Sequence, residues 1–273
     1  MSIRNTKSTK GIGNSLVVRS AAIATSLLLA FFITTFATGC ASGGSSGGQS
    51  AVPGSYAIDP AAVDTSAVLE PVSCMVVTSA SQNSAFRIPT TCLAYPKAAI
   101  EQGNYAGYLT CDAGSTPHGK TFATTKSSQA GQEKEVDAFL ADYFTSTCSA
   151  RAATGEIDLL SALNNAASEL RARANGSKMV INVIGSGLNS AGLLTASADL
   201  VSADASDVAG QLTSLGALAD FTDITVHFYG LGQSSGSQVV PSSVAAKLQS
   251  LYPTLVEAGG GVAIVEPDVL TRL

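Results

Sequence analysis

Residues Lys178–Gly192, with the sequence KMVINVIGSGLNSAG, contain an apolar run that leads directly into glycines. Within Met179–Ile184 every side chain is apolar except Asn182, and several are β-branched. Short runs of this kind are typical of strands that are buried on both faces of a parallel sheet. Gly185 and Gly187 allow a sharp turn at the strand's carboxyl end, where open α/β sheets bind their ligands.

Similar short apolar runs recur along the chain and alternate with segments of helical periodicity. The predicted strands are Ser73–Thr78, Tyr105–Cys111, Lys120–Thr125 as an antiparallel edge, Met179–Ile184, Ile224–Tyr229 and Val262–Val265. The predicted helices are Leu93–Gln102, Gln132–Thr147, Ile157–Ala174, Ser206–Leu218 and Ser242–Ala258. Leu193–Ser202 is compatible with a hairpin or a loop, and Pro253 predicts a kink or break in the last helix. This alternation predicts an α/β fold with three layers, an open and mostly parallel sheet of about six strands with helices on both faces.

The first 39 residues are typical of a bacterial export signal. Four basic residues and no acid come first, and the uncharged, mostly apolar segment Ala21–Ala37 follows. Small residues then lead to Cys40, a pattern that resembles the lipobox, where the signal peptide is cleaved before a lipidated cysteine. The resemblance implies that residues 1–39 are removed and that Cys40 carries fatty acyl chains such as palmitate. An uncleaved signal anchor is the alternative, and both interpretations place the rest of the chain outside the cytoplasm.

The chain after the signal divides into a tether and a domain. Residues 40–52 comprise the lipidated cysteine and a Gly/Ser-rich tether, and residues 53–273 are long enough for one sizeable domain. Removal of residues 1–39 takes away four of the 15 basic residues and none of the 20 acids, which leaves a formal net charge of −9. This charge argues against nucleic acid as a partner. The expected location is the extracytoplasmic face of a cell membrane, held there by the lipid anchor.

Four cysteines remain after the lipidated one: Cys74, Cys92, Cys111 and Cys148. An exported compartment favours disulfides, but four cysteines allow three pairings and the spacing does not choose among them. No pair has the spacing of a zinc site.

Two glycine-rich motifs suggest enzymes, and both suggestions are weak. Gly232–Gly236 matches the G-x-S-x-G pattern of hydrolases, but that family places its histidine after the nucleophile. Here His118 and His227 both precede Ser234. The pairs Gly185/Gly187 and Gly230/Gly232 have Gly-x-Gly spacing but lack the third glycine of a dinucleotide-binding loop. Tight turns explain these glycines better.

The order of the predicted elements resembles a von Willebrand factor A-like (vWA-like) domain over about residues 71–268. That fold has a strand, a helix, a β-hairpin, two helices and then strand–helix repeats. Glu156–Leu163 resembles the family's T-x-L-x-x-A-L segment. Ser186–Gly192 and Gly230–Gly232 resemble loops of the A-like modules that precede OmpA-type domains in bacterial surface lipoproteins. No segment of this chain resembles the OmpA-type domain itself.

The residues that hold Mg²⁺ in metal-binding members of the family are replaced here. Those members use D-x-S-x-S after the first strand, a threonine, and an aspartate after the fourth strand. The residues in these places are Ser79, Ser81, Asn83, Ile157 and Gly185–Ser186. Asp158 is the one acid nearby, and Mg²⁺ is a hard cation that favours carboxylate oxygens. The resemblance therefore implies a domain without a metal or another cofactor.

The resemblance also implies a polar ligand-binding surface at the carboxyl edge of the sheet. The predicted residues are Ser79, Ser81, Asn83, Asp158, Ser186, Asn189 and Gln233. The expected function is non-catalytic interaction with an envelope protein or a glycan. Small-ligand capture by a solute-binding or signalling lipoprotein is the alternative, and a deep apolar pocket would favour it. A further alternative is that these polar side chains bind no ligand and serve only to form the loops and contact solvent.

The vWA-like layout also bears on the cysteines. It implies one disulfide among Cys92, Cys111 and Cys148, all of which it places near the carboxyl ends of the strands. In the same layout Cys74 is buried towards the other end of the sheet.

Overall fold

A computed structural model describes the part of the chain that carries most of the predicted elements. The described residues are 62–78, 86–87, 91–111, 116–122, 130–131, 133–139, 157–195, 197–233, 239–266 and 271–272. Every described residue lies in one compact unit, Ser50–Leu273. None of the described helices has the length and apolar character needed to cross a membrane.

A six-stranded sheet forms the centre of the molecule, as predicted. The strands are β1 (Val72–Thr78), β2 (Phe86–Arg87), β3 (Tyr105–Thr110), β4 (His118–Thr121), β5 (Lys178–Ile184), β6 (Ile224–Tyr229), β7 (Val262–Val265) and β8 (Thr271–Arg272). The order across the sheet is β4-β3-β1-β5-β6-β7, and only β4 is antiparallel to its neighbour. The predicted antiparallel edge strand is therefore confirmed, with earlier bounds. Strands β2 and β8 form a separate antiparallel pair that the sequence did not predict.

Within the described ranges, six helical segments connect or cover these strands. They are α1 (Thr91–Glu101), α2 (residues 130–131 and 133–139), α3 (Leu159–Arg173), α4 (Ala198–Ser202), α5 (Ala205–Ser214) and α6 (Ser242–Ala258). Polar side chains cap several of them: Asp158 caps α3, Ser197 caps α4 and Asp204 caps α5. Such caps satisfy backbone N–H groups that have no partner within the helix.

Two apolar cores, one on each face of the sheet, confirm the three-layer fold. Alternate residues of each strand point to opposite faces, so Met75 packs into one core and Val76 into the other. Helices α3, α5 and α6 cover the first face. Helices α1 and α2 cover the second, where the Phe139 ring lies edge-on to the ring of Tyr108, with a centroid distance of 5.9 Å.

Three predicted elements differ from the structure. Leu193–Ser202 is not a hairpin, because its second half forms the short helix α4. Helix α5 ends at Ser214 rather than Leu218, since Gly216 adopts φ 65° and takes the chain out of the helix. Helix α6 continues through Pro253 to Ala258 without a break.

The single polar residue within the apolar run of β5, Asn182, supports helix α1. In an α-helix the carbonyl of Cys92 would accept from the N–H of residue 96, but Pro96 has no N–H to donate. The side-chain amide of Asn182 donates to this carbonyl instead, with an Nδ2–O distance of 2.7 Å. Asn182 is fully buried, and its Oδ1 atom has no hydrogen-bond partner. A polar residue in the centre of the sheet thus compensates for a proline in the helix above it.

Candidate functional site

The predicted site lies at the carboxyl edge of the sheet, where backbone hydrogen bonds join several elements. The N–H of Cys111 donates to the carbonyl of Thr78 at the end of β1, with an N–O distance of 2.9 Å. The N–H of Asp158, just before α3, donates to the carbonyl of Cys111. Gly185 donates to the carbonyl of Tyr229 at the end of β6. The start of α3 and the loop after β5 are therefore fixed to the ends of the strands.

The loop after β5 is bonded closely to the segment that begins α3. Asn189 Oδ1 accepts from the N–H of Leu159 at 3.0 Å, and Ser190 Oγ accepts from the N–H of Ile157 at 2.8 Å. The N–H groups of Ser190 and Ala191 both donate to the carbonyl of Ile157. The Asn189 oxygen that could have contacted a ligand thus serves to hold this loop.

Asp158, the one acid predicted for the site, acts as the N-cap of α3. Its carboxylate accepts from the N–H of Ser161 at 3.1 Å and from the Ser161 hydroxyl at 2.6 Å. Gly192, with φ 79°, packs directly against this carboxylate, and a Cβ atom at position 192 would overlap it. The carboxylate is therefore engaged by the helix on one side and covered by the β5 loop on another.

Ser186 and Gln233 lie in two turns that meet at the same edge. The carbonyl of Ser186 accepts from the N–H of Gly232, and the N–H of Gln233 donates to the carbonyl of Gly230. Between them Gly187 adopts φ 77°, and its carbonyl accepts from the buried Tyr252 hydroxyl at 3.0 Å. A side chain at position 187 would meet Leu231 Cδ1 at 2.5 Å, so the close approach of the two loops requires glycine there.

The structure brings four of the seven predicted site residues to one edge: Asp158, Ser186, Asn189 and Gln233. The other three, Ser79, Ser81 and Asn83, lie outside the described residues, as does Cys40. In the described ranges no group of three or more His, Cys, Asp or Glu side chains could hold a metal ion. The absence of a metal remains a prediction, because the segment that follows β1 is not among those ranges.

Three of the four cysteines considered for disulfides lie in the described part of the chain. Cys74, Cys92 and Cys111 are buried, and no disulfide joins any two of them. Cys74 and Cys92 pack into the core beneath α1, whereas Cys111 belongs to the core on the opposite face of the sheet. Burial raises the pKa of the Cys74 thiol far above its ordinary value. Cys148 lies outside the described residues, so a bridge to it remains a prediction.

A polar cluster on the α1 face of the sheet was missed by the sequence analysis. His227 on β6 pairs with Glu266 immediately after β7, with a distance of 2.7 Å between Nδ1 and Oε1. The ring of Tyr95 on α1 lies 5.1 Å from the His227 ring, and the Tyr229 ring stacks at 6.4 Å. Burial raises the pKa of both tyrosines, and the nearby Glu266 raises both further. Both phenols therefore stay protonated at neutral pH.

The sequence holds only a faint signal for this cluster. His227 interrupts an apolar strand, and Glu266 is the first charged residue after the last predicted strand. The two side chains meet because β6 and β7 are neighbours in the sheet. The order of strands across a sheet cannot be read from the sequence. His227 is buried in the sheet, and nothing in the sequence predicted its carboxylate partner.

Comparisons with known proteins identify no family for this chain and a distant structural match. No protein-family model matches the chain, and no curated protein matches it. Among solved structures, the proximal thread matrix protein 1 from the mussel byssus aligns at a TM-score of 0.28 with 11% sequence identity. The alignment covers 70% of this chain and 49% of the mussel protein, so this chain spans about half its length. At that TM-score the likeness carries no argument about fold or function.

Proposed function

We propose that this chain is a lipid-anchored cell-envelope protein whose vWA-like domain binds an envelope protein or glycan through the carboxyl edge of its sheet, without metal and without catalysis. The order of elements is the observation that carries the proposal. Apart from the two-residue strand β2 that lies between β1 and α1, a strand, a helix, a hairpin and two helices precede the strand–helix repeats, and this order supports the proposal.

The chemistry of the edge supports binding rather than catalysis. Asp158 is occupied as a helix cap and Asn189 as a loop anchor. In the described part of this edge, these contacts build a preorganised set of turns. Rigid loops of this kind favour binding, because little conformational entropy is lost when a partner arrives.

Exposed side chains at the edge provide contact surface. Leu193 lies in the loop after β5 and is 65% exposed, and Val239, in the segment before α6, is 77% exposed. Leu215 is exposed to a similar extent, at 74%, but it follows α5 and lies at the opposite end of the sheet. These residues allow a matched comparison of the two ends of the domain.

The proposal is tested by site-specific photocrosslinking in intact cells. A photoreactive amino acid is placed at position 193 in one variant and at position 215 in the other. We expect a discrete adduct from position 193 and none from position 215. Adducts from position 215 alone, or identical adducts from both positions, would contradict the assignment of the carboxyl edge as the binding surface.

A further inference from the structure

The turn between α3 and β5 contains the one asparagine in the sequence that is followed by a glycine, Asn175–Gly176. Helix α3 ends at Arg173 with Ala174 as its C-cap. Asn175 then adopts φ 46° and Gly176 adopts φ 85°. Glycine and asparagine are the residues that most readily take this left-handed conformation after a helix. The dipeptide therefore ends α3 and turns the chain towards the central strand.

Asn175 and Gly176 are both exposed, and their polar groups are not engaged by the rest of the fold. Within the described part of the chain, no hydrogen bond involves the Asn175 side chain or the Gly176 N–H. A Cβ atom added at position 176 would meet nothing within 4 Å, so the space beside this residue is open. Rotation of the backbone here is opposed by the hydrogen bond from the N–H of Ser177 to the carbonyl of Ala174, but not by packing around Gly176.

An exposed asparagine that precedes glycine can react with the backbone nitrogen of that glycine. The Gly176 nitrogen attacks Cγ of Asn175, so that an N–Cγ bond forms while the Cγ–Nδ2 bond breaks. Ammonia leaves with the amide hydrogens and the proton of the attacking nitrogen, and the product is a succinimide ring. Glycine favours this step because it has no side chain to obstruct the attack. Water then opens the ring at either carbonyl, which gives aspartate or isoaspartate.

We propose that Asn175 deamidates spontaneously in the folded chain, and that the isoaspartate product loosens the junction between α3 and β5. In isoaspartate the main chain runs through Cβ and Cγ, so it is longer by one carbon atom. The new carboxylate also lies just after the end of α3, where the helix dipole disfavours negative charge. Both changes fall in a turn that hydrogen bonds tie to the neighbouring strands.

Ser177, two residues after Asn175, carries those hydrogen bonds. Its hydroxyl donates to the carbonyl of Ala174 at 2.6 Å and lies 2.7 Å from the hydroxyl of Ser73 on β1. The fully buried Ser73 oxygen also accepts from the N–H of Tyr105 on β3 at 3.3 Å. A longer main chain at position 175 displaces Ser177 from this network. The beginning of β5 then loses an anchor that it shares with β1 and β3.

Two other asparagines in the described part of the chain serve as internal comparisons. Asn189 precedes the small residue Ser190, but it is 5% exposed, and the N–H of Ser190 donates to the carbonyl of Ile157. Asn164 is half-buried, and hydrogen bonds engage both polar atoms of its side chain. The structure therefore favours reaction at Asn175 and retention of the amide at these two positions.

Peptide mapping of the purified full-length chain tests the site. The chain is kept folded at pH 8 and digested at mildly acidic pH after increasing times, and mass spectrometry locates each amide that has become an acid. We expect progressive conversion at Asn175, with isoaspartate revealed by an isoaspartyl methyltransferase, and no conversion at Asn164 or Asn189 over the same period. Asn175→Gly keeps a residue that accepts positive φ and has no amide to lose, so its isoaspartate signal should be absent.

Thermal unfolding of the same samples tests the consequence for β5. Aged wild type should develop a population of lower melting temperature in proportion to its isoaspartate content, whereas aged Asn175→Gly should melt as it did when fresh. Loss of this proportionality, with converted chains that melt like fresh ones, would overturn the loosening of the junction.

Three results would overturn the assignment of the site itself. They are an amide that persists at Asn175 in the folded chain while it is lost in urea, conversion of Asn189 at the same rate, and a glycan on Asn175. The last result is testable in the same maps, because Asn175-Gly176-Ser177 also matches the N-x-[ST] glycosylation pattern. None of these outcomes depends on the lipid anchor or on what the carboxyl edge binds.

Discussion

The hydrogen bond between Asn182 and the Cys92 carbonyl allows a quantitative test of how the central strand supports α1. Asn182→Leu keeps the branching of the side chain but removes the Nδ2 donor, which lies 2.7 Å from that carbonyl. Removing one partner of a buried hydrogen bond costs about 1–3 kcal/mol of unfolding free energy. We expect a destabilisation of that size for Asn182→Leu alone.

A second substitution reveals whether Pro96 is the cause. Pro96→Ala provides an N–H four residues after Cys92, and the helix can then satisfy that carbonyl by itself. In this background Asn182→Leu also removes the Oδ1 atom that has no partner in the native chain, so its cost should fall to about zero. The expected coupling free energy between the two positions is therefore about 1–3 kcal/mol.

Urea unfolding of the four chains measures this coupling. Wild type, Asn182→Leu, Pro96→Ala and the double variant are unfolded under reducing conditions, and linear extrapolation gives each free energy. The direct effects of Pro96→Ala on helix propensity and packing cancel in the cycle. An equal cost of Asn182→Leu in both backgrounds would refute the argument that Asn182 compensates for the proline.

Three further predictions concern lipidation, the capping carboxylate and a buried thiol. Cys40→Ser should leave an unprocessed precursor without label from a fatty-acid analogue, and normal labelling of the variant would disprove lipidation at this residue. Asp158→Ala should lose about 1 kcal/mol through the missing N-cap, whereas Asp158→Asn should retain most of it. Millimolar Mg²⁺ should leave the melting temperature of wild type and both variants unchanged, and a shift of several degrees that Asp158→Asn removes would establish a metal site. Cys74, whose pKa is raised by burial, should be alkylated at pH 8 only after unfolding, and rapid reaction of the native chain, mapped to this residue by mass spectrometry, would contradict its burial.

The sheet was predictable because burial on both faces requires continuous apolar runs. Val180–Ile184 shows this, because its neighbours β1 and β6 bury both of its faces and Asn182 is the one polar residue within it. Helix bounds were less certain because they depend on single capping residues. Ile157 was expected inside α3, but Asp158 takes the cap position and the helix begins at Leu159.

The position of several candidate residues in the fold was predictable, but their contacts were not. The rule that parallel strands end at a common edge correctly placed Ser186 and Asn189 there. The sequence could not reveal that Asn189 is consumed by the N–H of Leu159, because this bond joins residues 30 positions apart. The pair of His227 and Glu266 was missed for the same physical reason, since strand order alone brings the two side chains together.

The most direct test of the proposed metal-free binding edge combines photocrosslinking with metal removal. The crosslink from position 193 is measured in intact cells or isolated envelopes, with and without a chelator of divalent cations, and position 215 is measured in parallel. The proposal predicts the same adduct, in the same yield, under both conditions, and none from position 215. Loss of the adduct on chelation would contradict metal-free binding, and the lack of any adduct specific to position 193 would contradict binding at this edge.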